Sequence, residues 1–140
     1  MEILKAPHEK LSTVCSLAHL GGETELLSQL MIDTMFANRG MGLAAPQVGH
    51  TIRMFVMKYG RSTLTMLNPT IIRRGNEMAK AEEGCLSIPG KKIRVNRNKL
   101  ITVRWMDLNG ETQEVKMRNN DARCVQHEMD HLDGILITEK

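Results

Sequence analysis

His127 and His131 stand four residues apart, with Glu128 directly after the first, in the run Gln126-His127-Glu128-Met129-Asp130-His131-Leu132-Asp133-Gly134. Residues four apart on an α-helix lie one above the other on one face, so both imidazoles can reach a single metal ion. Glu128, one step round the helix, is then placed to take a proton from water at that ion. Asn119, Asn120 or Asp121 can cap the start of this helix, and Gly134 can close it. Ala122, Val125, Met129 and Leu132 give it an apolar stripe at spacings of three and four. Two solvated histidines on an exposed face would show the same pattern, so a third ligand has to decide.

Cys85 is the candidate, in Glu82-Glu83-Gly84-Cys85-Leu86-Ser87-Ile88-Pro89-Gly90. Gly84 before it and a Pro89-Gly90 turn after it place it where a strand leaves its sheet. A cysteine is by default a small core residue; Cys15 is read that way, and so is Cys124, with the option of a pocket wall. The charged, glycine-rich surroundings of Cys85 argue against plain packing. Catalytic zinc-type sites use three protein ligands and keep one position for water. A thiolate and two neutral imidazoles around a divalent ion leave a net +1 site, enough to bring bound water from a pKa of about 15.7 to about 7. Glu128 can take the proton and pass it to a leaving nitrogen.

A third stretch, Gly40-Met41-Gly42-Leu43-Ala44-Ala45-Pro46-Gln47-Val48-Gly49, packs three glycines and two alanines into ten residues. Backbone there must approach something closely. A structural loop would explain the small residues, but not a lone Gln47 ahead of an apolar strand. The spacing fits neither dinucleotide nor P-loop patterns, which excludes a phosphate cradle.

The elements that must hold these stretches follow from periodicity and punctuation. Residues 1–22 read as an irregular arm broken by Pro7 and Gly21-Gly22. Glu23 to Asn38 carries Leu26, Leu27, Leu30, Met31, Thr34, Met35 and Phe36 at helical spacing, an amphipathic helix packed on the sheet. Ile52 to Met57 reads as a strand, and Arg61 to Glu83 as short β runs punctuated by Asn68-Pro69 and Gly75-Asn76. Ile101–Met106 and Glu111–Met117 flank an Asn-Gly turn, a hairpin signal. Ile135-Leu136-Ile137 is a final short strand or a core plug. The sum is an α+β fold: small antiparallel or mixed β-sheets around a central metal-binding helix, plus one N-terminal amphipathic helix, in a single domain over residues 1–140.

Composition is ordinary for a globular chain: 41% hydrophobic, 25% charged, net charge +3. That mild charge, with one Trp, one Tyr and two Phe, gives no case for direct nucleic-acid reading. Eleven methionines read chiefly as core filler. Three widely spaced cysteines speak for a reducing compartment. The N-terminus lacks a signal core, and no apolar run spans a bilayer. A cytoplasmic protein with no membrane partner is expected, as a monomer.

The stretches Gly40–Gln47, Glu83–Ser87 and Gln126–His131, in this order and spacing, closely resemble the three motifs of peptide deformylase. The resemblance covers about residues 40–134. It implies a metal-dependent hydrolase that removes the N-formyl group from the initiator methionine of nascent polypeptides and releases formate. It implies Cys85, His127 and His131 as ligands of one divalent ion, Fe²⁺ in the cell, with Zn²⁺, Ni²⁺ or Co²⁺ able to substitute. Glu128 corresponds to the general acid/base for attack by metal-bound water. The Gln47 amide and the Leu86 N–H correspond to the oxyanion donors. Gly42 and Gly84 fall among the substrate-binding positions, with Met41 and Cys124 walling the methionine pocket, and the peptide lies extended beside strand-like backbone. Glu83 and Arg97 are read either as a brace for the cysteine loop or as a surface ion pair. Asp130 is read as a structural hydrogen-bonder rather than a fourth ligand. Arg123 and Asn120 depart from an apolar pocket lining. The chain stops nine residues after His131 (140 minus 131), so the C-terminal helix of many bacterial members, implicated in ribosome docking, is expected to be absent. Such short forms suggest a bacterial or phage-infected bacterial cell. Two other readings stay open: a metallopeptidase cutting internal amides, and a structural metal module in which Asp130, Asp133, Glu82 or Cys124 closes the site. A catalytically dead homologue is disfavoured by the intact Glu128.

Overall fold

A computed structural model describes residues 1–140. Seven strands and two helices follow one another as α1 (Gly22–Ala37), β1 (Gly42–Ala44), β2 (Met54–Tyr59), β3 (Ser62–Arg74), β4 (Met78–Cys85), β5 (Ile88–Asn98), β6 (Leu100–Met106), β7 (Thr112–Arg118) and α2 (Asn119–Leu132). One sheet has the order β1-β2-β3-β6-β7, while β4 and β5 pair only with each other. Every ladder is antiparallel. The fold is α+β, as expected.

Strand alternation sorts the core into layers. Phe55, Met57, Met66, Ile101, Val103, Trp105 and Met117 turn to one face of the large sheet and bury Ala122, Val125 and Leu132 of α2. Leu43, Met54, Val56 and Leu67 turn to the other face and pack on Leu27, Met31 and Met35 of α1. Strand β2 is thus covered on both sides, which its unbroken apolar run Met54–Met57 reflects. The methionines of α1 are core, yet Leu26, Leu30 and Phe36 are exposed, so its apolar residues are not confined to one face. Its inner face instead buries Ser28, whose hydroxyl is 2.6 Å from that of Thr65.

Two local expectations need correction. The region around Asn68-Pro69 is not a break between short strands, because β3 runs through it. Register shifts between Leu67 and Thr70 absorb the proline, which has no N–H for a ladder. The Asn68 amide stitches the N-terminal arm to the sheet: the Ala18 N–H donates to Oδ1 at 2.8 Å and Nδ2 donates to the Ala18 carbonyl at 3.0 Å. Pro89-Gly90 is not the turn beside the cysteine either. Cys85 pairs with Ile88, so Leu86-Ser87 closes the hairpin, and Pro89–Lys92 bulge opposite the single residue Gly84.

The ends of α2 differ in kind. No side chain caps its start, where Arg118 is extended and Asn119 adopts φ 55°, so the cap expected from Asn119, Asn120 or Asp121 is not made. The start is held instead by backbone, with the Asn119 N–H donating to Lys99 O at 2.8 Å. The other end is a Schellman closure: Ile135 N–H donates to Asp130 O at 2.8 Å and Gly134 N–H to His131 O at 3.1 Å. Gly134 has φ +74°, and a Cβ there would lie 2.7 Å from the Ser12 backbone, so no other residue fits. Beyond it Leu136 and Ile137 plug a small core with Leu11, Ile88 and Val95. No helix is long and apolar enough to cross a membrane.

Candidate metal centre

Helix α2 brings His127 and His131 to the end of β4, where Cys85 stands. One ligand atom from each of the three lies within 4.8 Å of the others. Cys85 Sγ is 3.4 Å from His131 Nε2. Two ligands of a tetrahedral ion, with metal–sulfur near 2.3 Å and metal–nitrogen near 2.0–2.1 Å, stand about 3.5 Å apart, so this spacing suits a shared cation. The donor set, one thiolate and two imidazoles, suits zinc or iron.

The four candidates for closing the site lie elsewhere. Asp130 pairs with Arg97 and with Lys140. Asp133 pairs with Arg53 at 3.0 Å. Glu82 is exposed on β4, opposite Arg94. Cys124 Sγ points at the Met41 carbonyl, 3.8 Å away. Burial, and then the nearby Glu128 carboxylate, push the Cys124 thiol well above its ordinary pKa, so it stays protonated. Three protein donors and no fourth is the open arrangement.

Glu83 fixes the orientation of His127. Its Oε1 is 2.8 Å from His127 Nδ1, leaving Nε2 for the cation. Arg97 grips the same carboxylate as a fork, Nε donating to Oε2 and Nη2 to Oε1, both at 2.9 Å. Glu83 and Arg97 are 6% and 4% exposed, so this is a buried brace and not a surface pair. Asp130 accepts from Arg97 Nη1, the structural role expected of it. Burial opposes the charge on Glu83, but hydrogen bonds from Arg97, His127 and Arg123 outweigh it and hold the carboxyl well below the usual range.

The two histidines are driven apart. Burial disfavours the charged form of His127, yet Cys85 and Glu83 beside it hold its pKa up to about 10. His131, buried and facing His127, is pushed down to about 3. The metal-free protein therefore carries its proton on His127, and a cation must displace it. Affinity is expected to rise with pH up to about 10, about tenfold per pH unit for each proton released. Calorimetry in buffers of different ionisation heat counts those protons; an affinity independent of pH contradicts this reading.

Glu128 is buried, and that burial lifts its pKa to about 7. Its Oε1 has no protein partner, and neither does His131 Nδ1. An orphaned carboxylate oxygen at this depth calls for water or a ligand. Gly42 of the edge strand β1 leaves room for the other oxygen: a Cβ at Gly42 would lie 2.6 Å from Glu128 Oε2 and 3.0 Å from Cys124 Sγ. Gly42→Ala is expected to keep the fold by displacing the flexible carboxylate, and to lower kcat/KM about 100-fold through that misplacement. Unchanged kcat/KM would show that the carboxylate position is uncritical.

Gln47 sits in a buried 3₁₀ turn, Ala45–Val48. Its Oε1 accepts from the Ala44 N–H at 2.9 Å, which turns Nε2 towards Ser87 Oγ at 3.1 Å and Cys85 Sγ at 3.7 Å. Leu86 follows Cys85 in the hairpin turn, its carbonyl held by Lys5 Nζ at 3.1 Å. Two expected positions stand farther out. Met41 is 63% exposed, which excludes a core role and leaves it at the rim. Gly84 is exposed, and a Cβ there would face Lys91 and Lys92.

The whole chain, residues 1–140, matches the family model of polypeptide deformylase. The chain belongs to the polypeptide deformylase family. A peptide deformylase of Thermodesulfovibrio yellowstonii is 38% identical over 146 residues, covering 100% of this chain and 88% of that protein. The crystal structure of peptide deformylase from Thermotoga maritima superposes with a TM-score of 0.97 at 36% identity, covering 99% of this chain and 95% of that one. A Met-Ala-Ser-bound peptide deformylase of Acinetobacter baumannii gives a TM-score of 0.93 at 32% identity, over 99% and 96% of the two chains. Deformylases are enzymes that remove formyl groups from N-terminal methionine, and the family is metal-dependent.

Ser87 and Gln126 have no assigned role in the sequence analysis, and Arg123, expected in the pocket lining, turns to the β4–β5 hairpin instead. Ser87 holds the Gln47 amide. The Gln126 amide donates to Asn98 O and accepts from Asn98 N–H, tying α2 to the end of β5. Arg123 bonds Glu83. Ser87 and Gln126 lie inside the motifs, and Arg123 is one helical turn before His127, so position alone could have flagged all three.

Proposed function

We propose that this chain, acting as one catalytic unit over residues 1–140, hydrolyses the formamide bond of N-formylmethionyl peptides, giving formate and a free amine. The observation that carries the reading is convergence: the Gln47 amide, the Cys85–His127–His131 cluster and the orphaned Glu128 oxygen meet beside a free sheet edge. One divalent ion held by Cys85, His127 and His131, Fe²⁺ in the cell with Zn²⁺, Ni²⁺ or Co²⁺ able to replace it, supplies a Lewis acid that makes water nucleophilic near neutral pH.

The protein's own groups do the rest. Glu128 accepts the proton of the attacking water and delivers it to the nitrogen as the C–N bond breaks. Gln47 Nε2 and the Leu86 N–H donate to the carbonyl oxygen as charge grows on it, each contributing a few kcal/mol. β1 pairs only with β2, so its outer edge at Gly42 can take an extended peptide as an added strand. Met41 and Cys124 flank that edge and would line the methionine side chain's path. The relative bound to Met-Ala-Ser supports a peptide product of this kind. Free, unpaired Cys15, Cys85 and Cys124 suit a reducing bacterial or phage-infected cytoplasm, where a monomer acts on nascent chains at the ribosome.

Formate release from formyl-Met-Ala-Ser by the anaerobically metal-loaded protein tests this, run beside an acetylated peptide and an unmodified longer one. Formate from the first alone is expected. Cleavage within the longer peptide, without formate, would favour the internal peptidase.

A further inference from the structure

We propose that Arg123 is a positioning residue for the metal centre, locking the hairpin that ends in Cys85 onto the helix that carries both histidines. This rests on the proposed ligand set of Cys85, His127 and His131. Arg123 lies four residues before His127 on α2, on the same face. Its Nη1 donates to Glu83 Oε2 at 2.7 Å and to the Val95 carbonyl at 2.9 Å, and its Nη2 donates to the Ala79 carbonyl at 2.7 Å. Ala79 belongs to β4 and Val95 to β5. One guanidinium therefore spans both strands of the hairpin and also holds the carboxylate that orients His127.

Arg97 does not make this contact redundant. It lies on β5 and reaches α2 at Asp130, beyond His127, whereas Arg123 grips the hairpin from one turn before His127. The two arginines thus fix the hairpin at two levels along the helix, with Glu83 shared between them. The hairpin has no other strand partner, and a two-stranded ribbon alone is marginal in water. Its register on α2, and hence the place of Cys85 Sγ relative to the imidazoles, depends on such ties. Arg123 also adds the second guanidinium on Glu83, so its loss leaves that buried carboxylate with Arg97 and His127 alone.

The test measures zinc dissociation constants by chelator competition, and visible spectra of the cobalt-loaded protein, for wild type, Arg123→Met, Arg123→Lys and the control Lys80→Met on the exposed side of β4. Supporting groups of this kind typically govern 10- to 100-fold of metal affinity. Arg123→Met is expected to bind zinc about 10- to 100-fold more weakly with shifted cobalt bands, and Lys80→Met to match wild type. Lysine restores charge but cannot fork to two carbonyls and a carboxylate, so Arg123→Lys is expected to fall between. Wild-type affinity and spectrum in folded Arg123→Met overturn the proposal, even if its melting temperature falls. If Arg123→Met does not fold, Arg123→Lys decides on the same criteria. A wild-type protein that binds no metal overturns the ligand-set reading itself, an outcome distinct from unchanged binding in the variants.

Discussion

Glu128→Ala is expected to fold and keep its metal while losing nearly all formate release. The carboxylate is not one of the three ligand groups, so its removal leaves the cation site intact. It is 4% exposed and makes no ion pair, and one of its oxygens has no protein partner, so truncation breaks no network that holds the fold. What disappears is the proton acceptor. General acid–base groups supply about 10²- to 10⁴-fold, and here the same group serves both water activation and amine departure, which puts the expected loss at the upper end. The check is turnover and metal content measured on one preparation. Equal formate release by variant and wild type would remove Glu128 from the mechanism.

The second large effect falls on stability. Arg97→Ala removes the cation shared by the buried Glu83 and the part-buried Asp130, leaving only Arg123 on the first and Lys140 on the second. Breaking a buried pair from one side costs about 3–5 kcal/mol because the remaining charge stays unpaired. Here Arg123 still holds Glu83, so the expected loss is nearer the lower figure. The pH dependence follows from the depressed pKa of Glu83. A carboxyl whose folded pKa lies below its unfolded value of about 4.3 contributes fully above that value and fades only as pH falls towards the folded one. Without Arg97 the Glu83 pKa moves back up, so the variant is expected to lose stability at a higher pH than wild type. Urea unfolding at neutral and mildly acidic pH reads both effects. An unfolding free energy equal to wild type would reduce the brace to a surface pair.

The parts of the site that were legible from sequence are those written in local spacing. His127, Glu128 and His131 follow from helix geometry, and Gly134 closes the helix with the φ that only its residue type readily adopts. Cys85 could be nominated but not located, since the hairpin turn fell at Leu86-Ser87 rather than at Pro89-Gly90. What spacing cannot carry is long-range pairing. Glu83 meets Arg97 across the β4–β5 ladder and Arg123 from another element, so its burial, which turns a weak pair into a brace, was invisible in the chain order. Asn68-Pro69 shows the opposite failure: strong local punctuation was overridden because a bulge let β3 continue on its neighbours. The missing side-chain cap of α2 is similar, the Asn119 N–H alone answering to the Lys99 carbonyl.

The central claim is that Cys85, His127 and His131 hold one divalent cation and leave it a free position. X-ray absorption on anaerobically prepared, zinc-loaded protein measures this directly. One sulfur near 2.3 Å and two imidazole nitrogens near 2.0–2.1 Å, with the remaining neighbour an exchangeable oxygen from solvent, is the expected shell. A shell without sulfur, or one completed by a fourth side chain, would contradict it.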